Sequence, residues 1–170
     1  MHINTYFKFD EVRATLGISA KELPDTVLEL DMYGEFLFQE LMAIEGALDP
    51  DTTERNLVEH YDYIKALASP TDAQALLKSY IRMFALYTVA ANVADTISLM
   101  APKTISDGKA LITRFSSEKT FDAVRQEVLG RKYDLKVKIK TLLGITITDK
   151  TYLGVIPPAI DVITDEAYED

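Results

Sequence analysis

Apolar side chains recur at intervals of three and four along most of residues 1–144, the spacing that gathers them on one side of an α-helix. In "FDEVRATLG", Val12 and Leu16 share a face, Asp10 is the candidate N-cap, and Gly17 is a natural stop. "ISAKELPDTVLEL" sets Ser19 and Glu22 at capping-box spacing, and Pro24 forbids an unbroken helix through it. "DMYGEFLFQELMAIEGAL" predicts a helix with Met32, Phe36, Leu37, Leu41 and Ile44 on or near one face, ended by Gly46 and "LDPD". "TTERNLVEHYDYIKALAS" predicts another, capped by Thr52 or Thr53, with Leu57, Tyr61, Ile64 and Ala68 as its stripe.

The dominant element is "SPTDAQALLKSYIRMFALYTVAANVADTISLMAP". Ser69 or Thr71 starts it, Pro70 is tolerated in the first turn, and Pro102 closes it. Thirty or so helical residues make a rod of about 45 Å. From Tyr80 to Met100 it is apolar almost all round, with alanines at 85, 90, 91 and 94, so it is expected to be buried on every side. After the loop "KTISDGKALITRF", a helix begins near Ser116 or Ser117. It keeps register through Phe121, Val124, Val128, Leu135, Ile139 and Leu142, and stops at Gly144.

Residues 145–170 change character. "ITITDKTYLGVIPPAIDVITDEAYED" is rich in β-branched side chains, with short extended pieces at "GITIT" and "IDVIT". Aliphatic residues at this density imply an arm that folds back on the helices or is buried by another chain. The expected fold is therefore mainly α. A small helical bundle, residues 1–144, surrounds a long central apolar helix, and an extended C-terminal arm with short β segments, residues 145–170, follows.

Composition narrows the chemistry. Nearly half the residues are hydrophobic, enough for one folded core. The absence of cysteine removes disulfides, thiolate metal sites and thiol nucleophiles, and suits a reducing compartment. No apolar run is long enough to span a bilayer, and charges at Lys8, Asp10, Glu11 and Arg13 do not fit a signal peptide. The expectation is a chain made in the cytoplasm that does not enter a membrane.

The net charge of −9 alternates along the chain. Residues 1–100 hold 7 basic and 16 acidic side chains, residues 101–140 hold 10 and 5, and residues 141–170 hold 1 and 6. A uniform nucleic-acid binder would carry excess positive charge. Alternation instead suits oppositely charged surfaces that meet neighbours and fix register.

Candidate catalytic groups are sparse. Gly108-Lys109 lacks the several glycines and the preceding strand of a phosphate-binding loop, so Asp107-Gly108 is read as a turn. His60, between Glu59 and Asp62, raises a metal or acid–base site, but a lone histidine on an amphipathic helix is read as a surface residue, and His2 carries less. Glu40/Glu45 and Asp49/Asp51 lack the repeated Glu-x-x-His spacing of a di-iron bundle. Tyr63, Tyr80 and Tyr87 fall where packing with a polar tip explains them. Neither an enzyme nor a cofactor is expected. "RKYDLKVKIK" alternates like a strand through Lys136, Lys138 and Lys140; as a helix it would spread its cations around the surface, where they could meet DNA phosphates or an acidic neighbour such as "DEAYED" of an adjacent copy.

The order of these elements resembles a tailed-bacteriophage head–tail connector. "VRATLG", "ELPD" and the apolar helix running into "APKTISDGKALITRF" carry the likeness, over about two-thirds of the chain. The resemblance implies a structural virion protein, a portal adaptor made in the host cytoplasm. Such a protein forms a homo-oligomeric ring, usually of twelve copies, between the portal protein and a tail or nozzle protein. DNA passes through its channel without sequence-specific binding. On that reading the arm docks on the portal or a neighbour through Ile145, Tyr152, Ile156, Pro157, Pro158, Ile160, Val162 and Ile163. Lys109, Arg114, Arg131, Lys132, Lys136, Lys138 and Lys140 form a basic connector surface. The alternatives are a helical interaction or regulatory module that binds one partner through its arm, and a small enzyme using the Lys109/Arg114 loop on a phosphorylated ligand.

Overall fold

The structure, a computed structural model, describes residues 3–100, 105–106, 111–112 and 118–146. It is mainly α. A 3-10 turn at Ile3–Thr5 leads to helices α1 (Phe9–Leu16), α2 (Asp25–Leu28) and α3 (Asp31–Met42). A two-residue hairpin, β1 (Glu45–Gly46) and β2 (Arg55–Asn56), follows, then α4 (Leu57–Ala66) and α5 (Asp72–Met100). Strands β3 (Ile105–Ser106) and β4 (Leu111–Ile112) pair antiparallel before α6 (Glu118–Leu142). Ile105 lies opposite Ile112 and Ser106 opposite Leu111; the expected Asp107-Gly108 turn lies outside the described residues.

α5 is the axis on which the other helices pack. Its 29 residues make a rod of about 43 Å. From Val89 to Ala94 it is enclosed, apart from a half-buried Asn92, as expected of a helix apolar all round. Its first half is one-sided: Leu77, Ile81, Phe84 and Ala85 are buried, whereas Leu76, Arg82 and Met83 face solvent. The burial expected from Tyr80 onward thus holds fully only further along. Arg82 fastens α5 to the N-terminal segment, with Nε donating to the Tyr6 carbonyl at 3.0 Å and Nη2 to Glu11 Oε1 at 2.5 Å.

α6 runs antiparallel to α5. Arg125 Nε bonds Asp95 Oδ1 at 2.5 Å, Lys132 Nζ lies 6.0 Å from the Phe84 ring, and Lys138 Nζ lies 5.9 Å from the Tyr80 ring. Val128, Leu135 and Ile139 are buried, with Val124 and Leu142 packed at the margin. The alternation at residues 136–140 is helical after all, because a long continuous apolar stripe outweighs three alternating lysines.

Two glycines end helices where a left-handed backbone is needed: Gly17 (φ 66°) after α1 and Gly144 (φ 64°) after α6. Beyond Gly144, the Ile145 N–H returns to the Lys140 carbonyl at 2.9 Å.

Several local expectations change. α1 starts one residue after Lys8, whose N–H donates to Glu11 Oε2 at 3.0 Å; Asp10 sits inside the first turn and accepts from Arg13 Nη1 at 2.7 Å. The cap of α4 is Asn56, not Thr52 or Thr53. Its side chain accepts from the Glu59 N–H at 3.0 Å while its own N–H donates to Glu59 at 3.2 Å, a reciprocal pair the threonines are too far upstream to make. Ala68 lies past the helix end and is exposed. α3 stops at Met42, and Ile44, though buried, follows it beside β1. The Ser19–Glu22 pairing is present, with Ser19 N and Oγ both donating to Glu22 Oε2.

Candidate interaction surface

α3 presents an apolar surface that the sequence reading turned inward. Tyr33, Gly34, Leu37 and Leu41 face the core, and the expected stripe members Met32 and Phe36 do not. Leu30, Met32, Phe36, Phe38 and Met42 are 49%, 42%, 47%, 42% and 42% exposed. At 100° per residue Met32 and Phe36 fall on one flank of the helix and Phe38 and Met42 on the other, with Glu35 and Gln39 between them. The phase follows Tyr33, which is completely buried and among the largest core side chains, with Gly34 buried beside it. The four-residue spacing Tyr33–Leu37–Leu41 was the available signal. It was hidden by a segment apolar on nearly every side.

At the start of α3, a cleft of about 240 Å³ is lined by Ile3, Phe9, Leu28, Leu30, Asp31 and Gly34 among others. The neighbouring recess holds Arg13, a buried guanidinium that ties α1 to the next turn. Its Nε donates to the Leu23 carbonyl at 2.9 Å and its Nη2 to Asp25. The Asp25 bond, opposed by desolvation and helped by Asp10, keeps Arg13 above its ordinary value and therefore charged. This cluster is fully paired and serves to hold the fold.

The expected basic surface divides. Lys132 is a cross-helix strut, its Nζ 3.1 Å from Glu40 Oε1 on α3. Lys136 and Lys140 follow it at four-residue steps on the same flank. Arg131 and Lys138, seven residues apart, lie on the opposite flank; Arg131 reaches Glu127 at 3.3 Å and Lys138 covers Tyr80. The cations thus spread around α6, as its helical reading requires. Lys109 and Arg114 lie outside the described residues.

Of the arm, Ile145 is half-buried and packs as part of the bundle: a Cβ added to Gly46 would stand 3.0 Å from both Ile145 Cγ1 and Leu143 Cβ. Tyr152, Ile156, Pro157, Pro158, Ile160, Val162 and Ile163 lie outside the described residues, as do the last two residues of "GITIT" and all of "IDVIT".

His60 corrects the surface reading. It is 1% exposed, and its Nε2 lies 2.9 Å from the Gly46 carbonyl, a contact that joins α4 to β1. Helical phase explains it, since His60 stands between Leu57 and Ile64 on the inward side of α4. Among the described residues no group of three His, Cys, Asp or Glu side chains could hold a metal ion, and no helix is long and apolar enough to cross a membrane.

Comparison with family models, curated proteins and solved structures finds no match to this chain.

The titratable groups that depart most from ordinary behaviour are structural. Burial, reinforced by Asp62, raises the Tyr6 phenol, and burial raises Tyr61, whose ring centroid is 4.6 Å from that of Tyr6. Asp51, in the loop between β1 and β2, is lowered to about 2, first by the hydrogen bond from Arg55 (2.6 Å) and then by Thr53. A carboxyl whose value falls on folding contributes stability that is whole above about pH 4 and fades as pH drops towards 2. NMR titration should find Asp51 ionised well below the usual aspartate range, and Asp51→Asn should flatten the thermal stability profile between those limits. An Asp51 midpoint near 4 would refute the pairing.

Proposed function

We propose that this chain is a ring-forming head-to-tail adaptor of a tailed-phage virion, seated between portal and tail components around the DNA channel. The observation that carries the reading is the outward apolar surface of α3. Five large side chains stand exposed on or beside one short helix, a pattern that marks a surface buried by another protein. Two further features support it. Charge is unevenly distributed along the sequence, with 7 basic and 16 acidic side chains in residues 1–100 against 10 and 5 in residues 101–140, which suits heterologous head-to-tail contacts that close into a ring. The order of segments resembles the connector family.

On this reading α3 and its neighbours meet an adjacent copy or the portal, and the excess of acidic groups lets DNA pass without adhering. The test is light scattering with size-exclusion chromatography, alone and with a purified portal ring, followed by negative-stain imaging. The expected result is a ring, formed alone or on the portal, and its loss in Phe36→Asp/Phe38→Asp with helical circular dichroism retained. A chain that stays monomeric and never joins a portal, or a double variant that assembles normally, overturns the reading.

A further inference from the structure

The row Leu30, Gly34, Phe38 and Met42 runs along α3 at steps of four, the line of positions that forms a ridge on a helix. Leu30, Phe38 and Met42 are exposed, and buried Gly34 interrupts their ridge with a notch. Leu30 and Gly34 also line the cleft of about 240 Å³, together with apolar Ile3, Phe9 and Leu28 and acidic Glu29 and Asp31. The row therefore reads as a ridge with a socket in it. From Leu30 to Met42 it is about 18 Å long at 1.5 Å per helical residue, the length of three to four turns.

Charge decides what fits it. From Glu22 to Glu54 the sequence holds 10 acidic side chains and no basic one. Asp25, Glu40 and Asp51 are paired with Arg13, Lys132 and Arg55. Glu29, Asp31, Glu35 and Glu45 are exposed, and by helical phase Asp31 and Glu35 share the flank of Phe38 and Met42. The cations of neighbouring elements lie elsewhere. Lys132, Lys136 and Lys140 of α6 are on the side that Glu40 faces, across α3 from Phe38 and Met42. Lys8 and Arg13 line the neighbouring recess, where Asp10 and Asp25 accompany them. The flank is thus apolar and acidic together.

We infer that this flank of α3 docks a basic amphipathic helix of another protein. A large apolar side chain of that helix enters at Gly34, between Leu30 and Phe38, and its lysines or arginines meet Glu29, Asp31 and Glu35. A second copy of the chain fits less well. It brings a net charge of −9, and its α6 carries Glu127 and Asp134 among the cations. The inference narrows the α3 surface of the adaptor reading to a foreign partner. It rests on that reading only in taking α3 as an interaction surface, and the partner's place in a virion is not part of it.

The probe is a synthetic helix of leucine and lysine with its leucines on one face, beside a leucine–glutamate counterpart. Binding to the full chain is followed by fluorescence anisotropy. The expected result is saturable binding of the lysine helix and none of the glutamate helix. Asp31→Asn/Glu35→Gln should weaken binding several-fold. Asp72→Asn/Asp134→Asn, which removes the same charge from exposed positions on α5 and α6, should change it little. Phe38→Ser, which leaves the charge alone, should also weaken it several-fold. No binding, equal weakening by the two charge pairs, no effect of Phe38→Ser, or equal binding of the glutamate helix overturns the inference. So does sedimentation in which the chain alone self-associates and Phe38→Ser abolishes it, because a second copy is then the occupant. Circular dichroism checks the fold of each variant. A chain that forms no ring can still take the lysine helix, and one that refuses it can still form a ring, so the two readings fail separately.

Discussion

Phe84→Ala should destabilise the fold by about 3–5 kcal/mol, the cost of emptying an aromatic site that cannot collapse around the loss. Phe84 is completely buried midway along α5, with Ile81 and Ala85 beside it on the same enclosed side. It also lies under the Lys132 ammonium, whose other partner is Glu40 on α3, so the ring is where α3, α5 and α6 converge. Alanine would remove the packing and leave Lys132 facing a void. Urea unfolding monitored by circular dichroism should show a lower midpoint with little change in slope. A shift below about 1 kcal/mol would mean that the three helices do not share this residue as a common support.

His60→Ala is expected to cost about 2–4 kcal/mol, from the lost packing of a buried imidazole and from the Gly46 carbonyl left without its partner. Gly46 is a crowded position: His60 holds its carbonyl from α4, and Leu143 and Ile145 press on its Cα from beyond α6. Loss of the imidazole should therefore loosen the hairpin and the end of α6 together. Amide exchange should accelerate at Gly46, Arg55 and Ile145 in His60→Ala, while central α5 stays protected at lower overall stability. Unchanged exchange at Ile145 would show that the two sides of the glycine are independent.

The long helices were legible in the sequence because their signals are redundant. α5 lies between prolines in the sequence and is apolar through its second half, and α6 keeps one stripe from Val124 to Leu142 and ends on a glycine whose backbone only that residue adopts easily. Legibility failed where a decision depended on tertiary context. In α3 apolar side chains lie on both flanks as well as on the inward face, so the three-and-four spacing fits more than one phase; the burial of Tyr33 settled it through packing that no spacing rule contains. His60 was misplaced because its acidic neighbours suggested water, whereas the deciding partner, the Gly46 carbonyl, is 14 residues away on a hairpin too short to leave a pattern. The cap of α4 was missed since Asn56 sits inside β2, where a strand residue also serves as the helix boundary. As for the candidate surface, the cations of α6 were visible as residue types, but Lys132 proved to be an internal strut.

The small side chains of α5 have a geometrical consequence. Ala85, Ala90, Ala91 and Ala94 are buried where the rod is most enclosed. They act as shims: the distance from α5 to its neighbours is set by methyl groups rather than by larger side chains. Enlarging one of them would push α5 away from the helices packed on it. In a closed ring the taper of each subunit fixes how many copies complete the circle. For an adaptor of that kind, the gauge of the assembly would be written in the narrowest residues of its centre.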